Sequence, residues 1–380
     1  MDLALSPQDL AFQEEVRAFL RDNLTAEMRE AGAKTGGVFA EFEVGRRWHR
    51  TLAKKGWSAP TWPKEHGGTG WTATQRYIFS RECTAADAPR MFNMSVRMVG
   101  PVVMKFGTPA QKAKYLPGIV SGDIVFCQGY SEPGSGSDLA SLKTRAESDG
   151  DDYVINGTKI WTTNAHRAHY MVALVRTSGE TADRHAGLSQ ILIDLSAPGV
   201  TVRPIKDMAG RAHFNEVSFE DVALPAAALI GSEGDGWKQV MAELAYERSG
   251  PERYLSSLQC LILMIDAAAN APADERLAVA IGRAVAHLAV LRQMSLSVAG
   301  QLQAGLAPNL EAALVKDLGT TFEQSLIEIV HDALAIAPSP DGTQAERVLA
   351  RLMQLAPCFS LRGGTREILR GIIARGLGLR

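Results

Sequence analysis

Between Gln128 and Asp138 the chain reads Gln-Gly-Tyr-Ser-Glu-Pro-Gly-Ser-Gly-Ser-Asp. Gly129, Gly134 and Gly136 let such a loop bend tightly and approach a ligand, and Ser131, Ser135 and Ser137 add hydroxyls with little bulk. Its N–H groups could hold a flat polar ring and a phosphorylated tail, although a Gly/Ser-rich stretch alone is usually only a turn. About two dozen residues later comes Tyr153-Val-Ile-Asn-Gly-Thr-Lys-Ile-Trp-Thr-Thr-Asn164, where Asn156-Gly157 reads as a hairpin turn between apolar runs. A third candidate is the carboxylate of Glu247 beside Arg248. On a helix, Trp237, Val240, Met241 and Leu244 form an apolar stripe, with Arg248 in its middle and Glu247 on its flank. Desolvation there raises a carboxylate toward the range of a general base, while the arginine opposes that shift; the alternative is a helix salt bridge at a domain surface.

These residues need a scaffold, and the pattern along the chain supplies three parts. Ser6-Pro7 followed by Phe12, Val16, Phe19 and Leu20 predicts a capped amphipathic helix, and helical periodicity, broken by a Pro/Gly-rich loop from Trp57 to Gly70, continues to about Ser121. From Asp123 to about Gly231 short β-branched runs separated by turn residues predict an antiparallel barrel or sandwich: 125–126, 153–161, 171–175, 188–195, 200–205 and 217–224. The rest is Ala/Leu-rich and helical, broken at Gly250-Pro251, Asn270–Pro272, Pro308 and Ala337–Gly342. The expected fold class is α+β multidomain, with an N-terminal helical domain (1–121), a middle antiparallel β-barrel domain (122–232) and a C-terminal helical bundle (233–380).

The sequence resembles the acyl-CoA dehydrogenase family, whose middle domain carries a Ser/Thr-Glu-Pro-Gly-x-Gly-Ser-Asp loop and a Lys-x-Trp-x-Thr strand. The resemblance extends through Gly56-Trp57, Trp62-Pro-Lys-Glu-His-Gly-Gly68, Phe106-Gly107, Phe214-Asn-Glu-Val217 and Gly363-Gly-Thr365. It implies FAD as cofactor, with Gln128, Tyr130 and Ser131 at the pyrimidine side of the ring and Trp161 and Thr163 near N5. Read without the family, Trp161 is a barrel-core residue and Thr163 strand filler. The resemblance also places Thr365 and Glu367 among FAD contacts and Ser137, Arg248, Gly364 and Arg375 among substrate contacts, while Glu132 and Asp138 brace the loop through its N–H groups.

The sequence departs from the family in informative places. Where many members carry the catalytic carboxylate, immediately before the Gly-Thr of the C-terminal motif, this chain has Gly363. A minority place the base in a Glu-Arg pair on the helix opening the C-terminal domain, which implies Glu247 as the catalytic base. Ala245 stands where relatives often have a CoA-contacting Asp. The Arg…Phe-Gly and Gln-x-x-Gly-Gly segments that reach a neighbour's FAD are missing from 258–293 and 328–335. The resemblance therefore implies the base-bearing α-subunit of an α2β2 heterotetramer, with a homologous β-subunit supplying the ADP-side contacts and an electron-transfer-flavoprotein-like acceptor. The substrate class implied is a steroid-derived, cyclic or dicarboxylic acyl-CoA. The alternatives are a non-catalytic assembly subunit and an acyl-CoA oxidase.

Bulk properties bound the partners. A formal net charge of −2 over 380 residues gives no reason to expect nucleic acid or an anionic membrane. Cys83, Cys127, Cys260 and Cys358 are too scattered for a metal or redox motif and read as reduced, mostly buried thiols; no metal site is expected. Met1-Asp2-Leu3 opens no targeting pattern and no apolar run is expected to span a membrane, so the expected location is cytoplasmic.

Overall fold

Short hydroxyl side chains set where many of the helices begin. In the computed structural model, Ser6 accepts a hydrogen bond from the Asp9 N–H, and Thr72, Thr108 and Thr343 form reciprocal capping boxes with Gln75, Gln111 and Glu346. Each such cap satisfies N–H groups that the first turn leaves open, worth about 1 kcal/mol. The structure describes residues 5–34, 41–89, 94–150, 152–178, 183–207, 211–241, 249–272 and 274–379.

The described helices are α1 (Pro7–Asn23), α2 (Ala26–Lys34), α3 (Phe42–Lys55), α4 (Ala73–Ala85), α5 (Gly100–Phe106), α6 (Pro109–Ser121), α7 (Leu258–Asn270), α8 (Glu275–Gln303), α9 (Asn309–Leu334), α10 (Gln344–Phe359) and α11 (Arg366–Gly376), with a further helical stretch over 236–241. The chain divides into two compact units. The first takes Met1–Thr51, Trp71–Met91 and Ala245–Arg380. At its centre α9 packs against α7, α8, α10 and α11, and α4 packs on α1, α7 and α8. Tyr77 thereby joins Tyr254, Leu258, Val315, Phe322 and Leu352 in one apolar core. The breaks expected at Gly250-Pro251, Asn270–Pro272, Pro308 and Ala337–Gly342 all fall between helices.

In α8, Leu277, Ala284, Leu291 and Val298 are buried at seven-residue spacing, whereas Val279, Val285 and Val290 are exposed. Apolar residues thus cover more than the inward stripe, and by length and composition Glu275–Leu302 is long and apolar enough to cross a membrane. The expectation that no run reaches that length is corrected accordingly. Arg283, His287 and Arg292 interrupt this helix, and the Arg292 guanidinium lies over the Tyr77 ring at 5.0 Å.

The second unit takes Leu52–Gly70 and Phe92–Leu244. Its sheet has seven strands: β1 (Phe126–Gly129), β2 (Arg145–Asp149), β3 (Asp152–Lys159), β4 (Tyr170–Arg176), β5 (Leu188–Asp194), β6 (Val200–Ile205) and β7 (Phe214–Pro225). The order is β1-β4-β2-β3-β7-β6, with β5 also on β4. Most pairs are antiparallel, but β1 and β2 each meet β4 in parallel, and no pairing among the described strands closes the ends. The sheet is a curled half-barrel, with mixed pairing, where an antiparallel barrel or sandwich was expected. Between β2 and β4 the chain runs back along β3 and through residues 160–169, the long connection that a parallel pair requires. At the other end β6 carries Pro204 and exposes alternate residues, as an edge strand does.

Two details differ from the sequence reading. β2, Arg-Ala-Glu-Ser-Asp, was not expected, because only Ala146 in it is buried and its charges hide any alternation. Asn156-Gly157 is not a hairpin turn. It lies inside β3, where the register to β7 shifts between Ile155 and Gly157, and the hairpin closes instead between Asp149 and Asp152, with Gly150 at φ 63°. The amide of Asn156 donates to the Asp221 carboxylate at 2.9 Å and accepts the Asp221 N–H at 2.9 Å, fixing this bulge to β7. All four cysteines are free thiols. Cys127 and Cys260 are buried, Cys83 is half-buried and Cys358 is exposed.

Candidate active site

The 128–138 loop and the turn after β3 are bound to each other. The Ile160 N–H donates to the Ser131 carbonyl at 2.9 Å, and the Lys159 ammonium donates to the Tyr130 carbonyl at 3.2 Å and to Glu132 at 2.8 Å. Glu132 also accepts the N–H groups of Lys143 (2.6 Å) and Thr144 (2.9 Å), so one carboxylate closes the base of the loop. The Lys159 side chain has no exposed surface and that of Glu132 almost none. Burial brings Lys159 down to about 8 even with Glu132 opposing it. Burial pushes Glu132 up, but Lys159 and the Lys143 and Thr144 hydrogen bonds outweigh it and hold the carboxyl below its ordinary value.

Within this frame the expected residues separate into two groups. Gln128 and Ser131 are half-buried, Ser137 is exposed, and a Cβ added at Gly134 or Gly136 would meet nothing within 4 Å, so this side of the loop is open. Trp161, 57% exposed, meets Phe214 edge-on at 6.1 Å between ring centroids, and Thr163 is half-buried beside it in sequence. Tyr130 points the other way: its ring packs with Leu142, Leu174, Leu188 and Val240, and its hydroxyl accepts from Gln190. Whatever Tyr130 offers a ligand comes from its backbone. The expectation that Asp138 braces the loop through N–H groups is corrected, because its carboxylate pairs with Arg184 at 2.6 Å. Ser135 holds the loop instead, through a backbone exchange with Glu132 and a hydroxyl bond to the Asp138 carbonyl at 2.7 Å.

The apolar stripe expected to precede the base is present at its start. Trp237 and Val240 pack in the cluster around Tyr130, and Trp237 stacks on His185 at 4.2 Å. Glu247 and Arg248 lie outside the described residues, as do Glu243 and Ala245. In the other unit Gly363 and Gly364 have φ of 71° and 99°, a conformation in which a carboxylate-bearing side chain at 363 would be strained. Thr365 stands at the N-terminal end of α11 without a side-chain capping bond, and the exposed Glu367 is held below its ordinary value by its own N–H and by Thr365. Arg375 is exposed in the last turn of α11.

The open polar loop, the outward indole and the flanking hydroxyls fit a flat heteroaromatic cofactor with a phosphate-bearing tail, the class to which FAD belongs. Sequence reasoning missed Lys159 as the link between the two motifs and Asn215 as the residue that holds the Thr162 backbone next to Trp161. Both stand inside quoted motifs, which was the available signal.

Three family models match the chain: acyl-CoA dehydrogenase N-terminal domain over residues 6–123, middle domain over 127–222 and C-terminal domain over 234–378. Acyl-CoA dehydrogenase IpdE1 of Mycobacterium tuberculosis is 39% identical over 387 residues, covering 97% of each chain. Acyl-CoA dehydrogenase FadE26 of the same organism is 34% identical over 400 residues, covering 100% of this chain and 99% of its own. Among solved structures, the Tcur3481-Tcur3483 steroid ACAD superposes with a TM-score of 0.85 at 32% identity, and the ChsE4-ChsE5 complex from Mycobacterium tuberculosis with 0.84 at 32%, each covering 100% of both chains. With all three domain models in order and relatives alike from end to end, the chain belongs to the acyl-CoA dehydrogenase family of oxidoreductases.

Proposed function

We propose that this chain is the base-bearing subunit of a heteromeric, FAD-dependent enzyme that converts a bulky acyl-CoA, steroid-derived, cyclic or dicarboxylic, to its 2-enoyl-CoA. The observation that carries the reading is Gly363. Its left-handed backbone suits glycine, so the carboxylate used by many relatives is replaced rather than displaced, and the Glu247-Arg248 pair remains as the source of a base.

Removal of the α-proton falls to the Glu247 carboxylate, whose place at the edge of an apolar stripe favours its neutral, protonated product. FAD, when bound, supplies an acceptor at N5 for the hydride leaving the β-carbon. Gln128 and the backbone of Tyr130 and Ser131 are fixed donors for the pyrimidine edge, where negative charge develops. Trp161 and Thr163 flank the N5 edge, and Thr365 and Glu367 contribute further cofactor contacts. Ser137, Arg248, Gly364 and Arg375 hold the thioester. An electron-transfer-flavoprotein-like acceptor would take the two electrons released per turnover.

Support for a heteromer is twofold. The segments that would grip a neighbour's ADP half are absent from the sequence, and two similar solved structures are named as two-component assemblies. One of these is named a steroid ACAD, which supports the substrate class. The test is expression alone and with a related subunit, followed by bound flavin, native mass and turnover of a steroid-derived acyl-CoA. The expected result is little flavin alone and one FAD per heterodimer together. In that assembly Glu247→Gln should keep the flavin and abolish exchange of the α-proton with solvent. A stoichiometrically yellow homotetramer, active without a second polypeptide, would sink the heteromer, and near-normal turnover of Glu247→Gln would move the base elsewhere.

A further inference from the structure

β3 and β7 run antiparallel with Lys159 opposite Val217. Two residues further along each strand, a regular ladder would set Trp161 opposite Asn215, on the face of the fully buried Lys159. The chain does something else. Trp161 adopts φ 60° and turns out of the sheet, while Thr162 takes the inward place at 1% exposure. A left-handed conformation is disfavoured for a residue with a β-carbon, and for a bulky side chain it persists only where neighbours impose it.

We propose that Asn215 is the positioning residue that imposes it, holding the Trp161 indole on the open face beside the flavin loop. Asn215 is fully buried and grips both backbone groups of Thr162. Its carbonyl accepts the Thr162 N–H at 3.0 Å, and its side-chain Nδ2 donates to the Thr162 carbonyl at 2.8 Å. With Nδ2 so engaged, the amide oxygen must accept, and it lies 2.8 Å from His166 Nδ1. His166 therefore carries its proton on Nδ1, which leaves Nε2 to accept from Arg167 Nε at 3.2 Å. The reverse amide orientation would set two oxygens against each other at Thr162. A second left-handed residue, Asn164 at φ 55°, closes the turn, its N–H donating to the His213 carbonyl at 2.8 Å. Three bonds from one buried residue thus fix the segment whose alternative is a regular strand with the indole inside. Only asparagine among residues of this size both donates to Thr162 and accepts from His166: aspartate lacks the donor, and leucine lacks both.

The inference rests on the proposed function only in taking Trp161 as a neighbour of the flavin, and the first arm of its test does not depend on that. In flavin-free protein labelled with 5-fluorotryptophan, the Trp161 ¹⁹F resonance is assigned by its loss in Trp161→Phe. A single narrow line is expected in the native protein, and a shifted, broadened or split one in Asn215→Leu. Asn215→Asp, which keeps the volume and the His166 contact, should show the same disturbance and serves if the leucine variant does not fold. An unchanged line in the folded variant would overturn the proposal. The second arm uses the flavin-loaded enzyme and compares kcat/KM of Asn215→Asp, Trp161→Ala and the double variant. If Asn215 acts through Trp161, the double variant falls no more than about twofold below Trp161→Ala, whereas a product of the two separate losses means an unrelated structural role and overturns it. Should Trp161→Ala leave the flavin spectrum and turnover unchanged, the flavin reading fails while the ¹⁹F arm still decides the role of Asn215.

Discussion

Lys159 is the residue on which the 128–138 loop hangs, and its removal has a signed consequence. Truncation to Lys159→Met leaves the Glu132 carboxylate buried without its cation, which should cost about 3–5 kcal/mol of stability at neutral pH, measured by urea unfolding. Lys159→Met/Glu132→Gln should recover part of that loss, because no unpaired charge remains, and a double variant less stable than the single would refute the ion-pair account. The cost of Lys159→Met should shrink at pH 5, where a carboxyl freed of its lysine takes up a proton. In the native protein Lys159 releases its proton near pH 8, against 10.5 for an ordinary lysine. Between these values the unfolded chain holds more protons, so this group's contribution to stability rises with pH across that window. Unfolding at pH 9 should therefore take up close to one proton more in the native protein than in Lys159→Met, as calorimetry in buffers of different ionisation heat would show. Sequence alone named the motif containing Lys159 but not its partner, since nothing local links it to Glu132, 27 positions earlier.

At the level of elements, legibility followed locality. The caps at Ser6, Thr72, Thr108 and Thr343 lie within three residues of their partners, and the helix breaks are Gly and Pro positions, so the helical parts could be read directly. The sheet could not, because its parallel pairs join residues more than 30 positions apart and β2 carries no apolar alternation. Asn156-Gly157 misled for a physical reason: an Asn-Gly pair serves a bulge as well as a turn when the glycine must approach another backbone. Gly157 has φ 145°, and a Cβ there would lie 2.6 Å from Thr144 Oγ1 and 2.7 Å from Thr144 Cα. Gly157→Ala should thus force β3 away from Thr144, with a loss of about 1–3 kcal/mol in thermal or urea unfolding. An alanine variant as stable as the native protein would show that the bulge relaxes freely.

Taken whole, the first unit is assembled from three separate lengths of chain, 1–51, 71–91 and 245–380, with the second unit's sheet between them in sequence. Tyr77 has its core partners at Tyr254, Leu258 and Phe322. A chain ending at residue 244 should therefore keep the sheet of the second unit, visible as protected amides in β4 and β5, while α1 and α4 exchange freely. Protection of those helices in the truncated chain would show that they are stable alone. The same arrangement bears on how the protein is made. During synthesis α4 emerges some 240 residues before Phe322 of α9. At about 5–20 residues per second it waits roughly 10–50 s with Tyr77 uncovered. The nascent chain is thus a substrate for holding chaperones over that interval, and slowing translation between β7 and α9 would lengthen the exposure and lower the yield of folded protein without altering a single residue.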